Sequence, residues 1–103
     1  MKDIRVLPDV LGDLSDAADW YDKEGYQGLG DRFLAAFQAH LTEIQKQGEI
    51  NRIVYFEFGK ILLRPFPYKL FYRLHEETWM VVLVIHAARE PGEIKELLSN
   101  RAK

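Results

Sequence analysis

An α+β fold is predicted by three features of the sequence. Two segments in the first half carry apolar residues at helical spacing, a glycine-rich break separates them, and the second half changes to strand periodicity. The first helix is predicted from about Pro8 to Lys23. Val10, Leu11, Leu14, Ala17, Ala18 and Tyr21 recur three or four residues apart, with Asp13, Asp16 and Asp19 between them. Pro8 suits a first helical turn, and Asp9 suits the positive end of the helix. Gly12 loosens that turn, costing about 1 kcal/mol relative to alanine.

Gly25-Tyr26-Gln27-Gly28-Leu29-Gly30 is the strongest break in the chain. A second helix follows to about Lys46, with Leu29, Phe33, Phe37, Leu41 and Ile44 along one stripe. Two amphipathic helices with so short a link form an antiparallel hairpin. Gly48 and Asn51 mark its exit. Ahead of the hairpin, Ile4 to Leu7 reads as a short strand halted by Pro8.

The remainder reads as strands. Ile53 to Phe58 is β-branched and aromatic, Gly59-Lys60 looks like a turn, and Ile61 to Arg64 forms the next strand. Pro65 and Pro67 break it, since proline cannot donate to a sheet ladder. From Tyr68 to Leu74 the residues alternate, with Leu70, Tyr72 and Leu74 on one face and Lys69, Phe71 and Arg73 on the other. His75 to Thr78 is a turn. Trp79 to Ile85 has no polar face, so this strand is expected to be central and covered. Glu90-Pro91-Gly92 ends it, with a short helix from Glu93 to Leu98 and a frayed tail from Ser99 to Lys103. The predicted architecture is an N-terminal helical hairpin packed on a small antiparallel sheet, with a short C-terminal helix. Part of the other sheet face stays accessible.

The chain has 103 residues, the size of one domain, and residues 1–103 are read as one unit. It has no cysteine, which excludes disulfides, thiolate metal sites and a thiol nucleophile. The longest apolar run, Trp79 to Ile85, is too short to span a bilayer, which takes about 20 residues. The default is a soluble intracellular protein with no membrane partner. Net charge is −2 but unevenly spread. Residues 1–51 hold five Lys/Arg against ten Asp/Glu, whereas residues 52–103 hold nine against six. A mildly basic half fits a local patch for phosphates or for an acidic partner.

Several segments together resemble a known family. Leu7-Pro8-Asp9, Asp19-Trp20-Tyr21-Asp22 and Gly28-Leu29-Gly30-Asp31-Arg32-Phe33-Leu34 look like the helical hairpin of toxins in the ParE branch of the RelE/ParE superfamily. Leu63-Arg64-Pro65-Phe66-Pro67-Tyr68 and Leu70-Phe71-Tyr72-Arg73 look like its central strand hairpin, and Ile85 to Pro91 like its closing strand. The resemblance implies a cytoplasmic toxin of a type II toxin–antitoxin, or plasmid stabilisation, system. Such a toxin is neutralised by a cognate antitoxin protein. ParE-like members inhibit DNA gyrase, and RelE-like members cut messenger RNA on the ribosome. A fold that keeps antitoxin binding and has lost toxicity is a third possibility.

Metal-free RNA cleavage needs a base, cations to hold the phosphorane charge, and an acid. The candidate catalytic residues for a ribonuclease are Arg64, His86 and Arg89. The resemblance places Arg64 and Arg89 where RelE-like toxins carry phosphate-binding arginines. The chain departs from those ribonucleases, which are strongly basic and often carry Tyr or His near the C-terminus. Its pI is ≈ 5.9, and it ends in Asn100-Arg101-Ala102-Lys103. An interaction protein is therefore favoured over an enzyme.

The simpler alternatives are structural. A histidine at the end of a buried strand is more often hydrogen-bonded at the core edge than catalytic. Arg64 and Arg89 also have Glu57, Glu90 and Glu93 as possible ion-pair partners. Tyr68 and Tyr72 are more readily sheet packing than a base-stacking platform. Trp20-Tyr21 reads as hairpin core, as do Phe33 and Phe37. The aspartates of the first helix read as a solvated face. The three histidines have no metal-ligand spacing, and neither a cofactor nor a metal is expected.

Overall fold

The computed structural model describes residues 1–50 and 53–102, with positions 53 and 54 described as backbone only. The chain forms β1 (Asp3–Val6), α1 (Pro8–Glu24), α2 (Leu29–Gln47), β2 (Ile53–Tyr55), β3 (Phe58–Leu62), β4 (Tyr68–His75), β5 (Thr78–His86) and α3 (Pro91–Arg101). The strands make one sheet in the order β1-β5-β4-β3-β2. β2 to β5 are antiparallel, and β1 is added in parallel along β5. Asn51 and Lys103 lie outside the described residues.

The helical hairpin covers one sheet face. Val10, Leu14, Ala17 and Tyr21 of α1 and Phe33, Phe37 and Ile44 of α2 meet Leu63, Leu70, Tyr72, Trp79, Val81 and Val84. Leu11, placed on the apolar stripe by its spacing, is instead exposed. The link between the helices depends on Asp22. Its Oδ1 accepts the N–H groups of Gly28 at 3.1 Å and Gly30 at 2.8 Å, so α1 supplies the cap that α2 lacks on its own. Gly28 has φ +100, and a Cβ on Gly30 would lie 2.5 Å from the Ala18 carbonyl oxygen. Both glycines of Gly28-Leu29-Gly30 are thus required, one by conformation and one by close helix contact.

The opposite face is only partly covered. Ile94 and Leu98 of α3 pack on Phe58, Phe71, Val82, Leu83 and Ile85. α3 runs past the predicted Leu98 because its last turn is anchored, with Arg101 half-buried instead of frayed.

Strand β5 is central and covered, as its unbroken apolar run predicts. It also contains an irregularity that the run conceals. Phe71 pairs with Leu83 and Tyr72 with Val81, so Val82 is an extra residue. The bulge reverses the alternation. Val81 and Val84 face the helical hairpin, while the adjacent Val82 and Leu83 both face α3.

The first strand hairpin turns at Phe56-Glu57 and not at Gly59-Lys60. Gly59 is a buried strand residue opposite Tyr72, whose ring occupies the core. The turn between β4 and β5 falls at Glu76-Glu77, where both residues have positive φ, as a type I′ turn requires.

Candidate functional site

The end of β5 and the start of α3 bring His86 and Arg89 together. Tyr68 is the register partner of His86 across the sheet, and their rings meet edge to face at 5.2 Å. His86 Nδ1 accepts the Ala88 N–H at 3.0 Å, leaving Nε2 as the other ring position. Arg89 lies just ahead of α3, four residues before Glu93, and grips its carboxylate with two nitrogens, Nε to Oε1 at 2.9 Å and Nη2 to Oε2. That pair raises Arg89 above its ordinary value and holds Glu93 below the usual carboxylate range. Burial raises the Tyr68 phenol, against the opposing pull of the Arg89 charge.

Tyr68, His86 and Arg89 line a cleft of ≈ 400 Å³ between α1, the end of β5 and α3. Asp13, Asp16 and Trp20 form its α1 wall, and Arg101 closes it from α3. Asp13 and Arg101 join the two sides of the cleft. Arg101 Nη1 and Nη2 donate to the two Asp13 oxygens at 2.7 and 2.9 Å, which raises Arg101 further. Asp13 Oδ2 also accepts the Val84 N–H at 3.0 Å, and Arg101 Nη1 donates to the Val82 carbonyl at 3.1 Å. β1 has already left the sheet here, its last bond being Leu7 N–H to the Val81 carbonyl. The two side chains therefore take over ladder positions that a longer β1 would fill.

Arg64 lies elsewhere. It is exposed on the loop between β3 and β4 and lines a second concavity, of ≈ 670 Å³, with His40, Glu43, Lys60 and Lys69. It forms no ion pair among the described residues. The three sequence-derived candidates thus divide between two clefts, His86 and Arg89 in one and Arg64 in the other.

Four aspects of these sites are absent from the sequence reading. The Asp13–Arg101 pair spans 88 residues, and no local pattern announces it. Asp13 and Asp22 are structural ligands within a helix face otherwise exposed as expected. Trp20 is 55% exposed and borders the cleft, while only its neighbour Tyr21 enters the core. Phe56 is exposed at a turn that the sequence places elsewhere.

In the His86 cleft the charges cancel. Asp13 and Asp16 face Arg89 and Arg101, and Glu93 already holds Arg89. A phosphate would have to displace a carboxylate to gain either arginine. Among the described residues no group of three or more His, Asp or Glu side chains is arranged to hold a metal ion. No helix among them is long and apolar enough to cross a membrane.

The profile of the ParE toxin of type II toxin-antitoxin system, parDE, matches residues 4–91. The chain belongs to the ParE toxin family. The match takes in the helical hairpin and all five strands and stops where α3 begins. A solved structure, the chromosomal ParDE TA system from P. aeruginosa, superposes with a TM-score of 0.63 at 13% identity. That superposition covers 84% of this chain and 96% of the other. At such identity the likeness is one of fold. No curated protein sequence matches the chain.

Proposed function

We infer that this ParE-family chain is a cytoplasmic toxin which a cognate antitoxin neutralises and which, when released, acts on DNA gyrase by binding, without catalysis. The observation that carries the choice of binding over RNA cleavage is the charge balance around His86. Cleavage requires uncompensated cations converging on one scissile phosphate. Here Arg89 is held by Glu93, Arg101 is held by Asp13, and Arg64 lines a different cleft.

The test pairs two assays. Purified chain is added to gyrase in a supercoiling reaction, with and without the protein encoded by the neighbouring reading frame. Loss of supercoiling that the second protein reverses is expected. In parallel, primer extension on translated message compares the wild-type chain with an Arg64→Ala, His86→Ala, Arg89→Ala variant. Unchanged supercoiling at toxin excess, together with message cleavage that the triple variant abolishes, would overturn the reading.

A further inference from the structure

The α3 side of the sheet is covered over β5 and left open towards β3. Alternation along β3 places Lys60 and Leu62 on the same face as buried Phe58. Along β4 it places Lys69 on the face of buried Phe71, and Leu62 and Lys69 are register partners. α3 reaches Phe58 and Phe71 through Ile94 and Leu98 but packs chiefly on β5. Beyond it Leu62 is 42% exposed, and at the turn before β3 Phe56 is 58% exposed.

Phe56 is notable for its backbone. Its φ of 58° lies in the left-handed region, which glycine adopts freely and a bulky aromatic does not. A small residue would adopt this conformation with less strain, and the ring that stands here packs edge-on against Tyr55 at 4.7 Å while most of its surface stays open. The surroundings are cationic. Lys95 Nζ lies 5.2 Å from the Phe56 ring centre, and Lys60 Nζ lies 5.5 Å from that of Tyr55. Lys60, Lys69 and Lys95 form no ion pair among the described residues. Of the nearby carboxylates, Glu57 is engaged by Arg73 at 3.3 Å, and Glu43 shares a concavity with Lys60, Leu62, Arg64 and Lys69, where three cations outnumber it.

We propose that this open surface, with Phe56 and Leu62 as apolar anchors and Lys60 and Lys69 as the cations beside Leu62, docks an acidic segment of the antitoxin carrying large apolar side chains. The proposal rests on the antitoxin reading above and adds the chemistry and place of one contact. Unpaired lysines call for carboxylates, and the exposed Leu62 beside them and Phe56 at the other end of β3 call for apolar residues in the same segment. A nucleic acid would meet the lysines but leave Leu62 without an apolar partner.

The probes are the full-length product of the neighbouring reading frame, synthetic peptides tiled across it, and a single-stranded oligonucleotide. Fluorescence anisotropy reads binding to the wild-type chain, to Phe56→Gly and to Lys60→Glu/Lys69→Glu. One acidic tile is expected to bind, with affinity that falls as salt rises. Each variant is expected to weaken it by about tenfold or more. Thermal melts serve as the control, since Phe56→Gly relieves the positive φ and should melt no lower than wild type. Full-length antitoxin and tiles that bind both variants as tightly as wild type would overturn the docking surface while leaving the antitoxin reading intact. Failure of the full-length product to bind the wild-type chain would remove the antitoxin reading and this proposal with it. An oligonucleotide that binds more tightly than every tile, and loses that binding in the charge variant, would overturn the protein-docking assignment.

Discussion

Asp13 and Arg101 meet across 88 residues of chain through two hydrogen bonds of 2.7 and 2.9 Å, with both side chains only 14% exposed. The pair joins the first helix to the last and seals the part of β5 that β1 leaves uncovered. Truncating either partner strands the other and frees a strand N–H or C=O. Arg101→Ala or Asp13→Ala is expected to cost about 2–4 kcal/mol in urea unfolding. A loss below about 1 kcal/mol, the level of an exposed pair, would show that the seal is not structural.

Asp22 caps α2 from the end of α1. Asp22→Ala is expected to lower stability by about 1–2 kcal/mol, as for loss of a helix cap. Gly30→Ala should cost at least as much, because the new methyl meets the Ala18 carbonyl oxygen at 2.5 Å. Equal melting of wild type and Gly30→Ala would mean that the helices separate at this crossing without penalty.

The Glu76-Glu77 turn holds two non-glycine residues at φ 48° and 65°. Asn-Gly suits this turn far better. Glu76→Asn with Glu77→Gly is expected to stabilise the fold by about 1–2 kcal/mol, through relief of left-handed strain. The long Lys2–Glu77 contact at 3.9 Å is too exposed to offset that gain. A lower melting temperature in the double variant would contradict this account.

Burial raises the phenols of Tyr21 and Tyr68 above their ordinary value of 10.0, and for Tyr68 the Arg89 charge opposes the shift. A phenol whose folded pKa exceeds its unfolded one contributes stability that is complete below pH 10. That stability is lost as the pH rises through the folded value, because the unfolded chain ionises first. Stability should therefore fall on the alkaline side of pH 10, and less steeply in Tyr68→Phe. Ultraviolet titration of tyrosinate against unfolding at each pH checks the sign. A Tyr68→Phe variant with the same alkaline slope would rule Tyr68 out as a contributor.

Local pattern accounts for most of the elements. Pro8 and the apolar spacing announce α1, Gly28 and Gly30 announce the break, and alternation announces β4 with its faces correctly assigned. These signals are short-range, because steric limits and period operate within a few residues. The turn at Phe56-Glu57 was hidden because neither residue favours positive φ, whereas Gly59 does. The bulge at Val82 was hidden because a strand apolar on both faces reads the same in either register.

The charged residues divide along the same line. Arg89 and Glu93 are four apart across the start of α3, with Arg89 just ahead of the helix and Glu93 in its first turn, so their pairing follows from closeness in sequence. The split of Arg64 from His86 and Arg89 does not, since it depends on where the β3–β4 loop projects relative to the end of β5. The chain's order of helices and strands is carried by periodicity and breakers. Which aspartate is a ligand, which tryptophan stays outside and which cations remain unmatched depends on contacts between residues tens of positions apart, and only the folded arrangement brings those together.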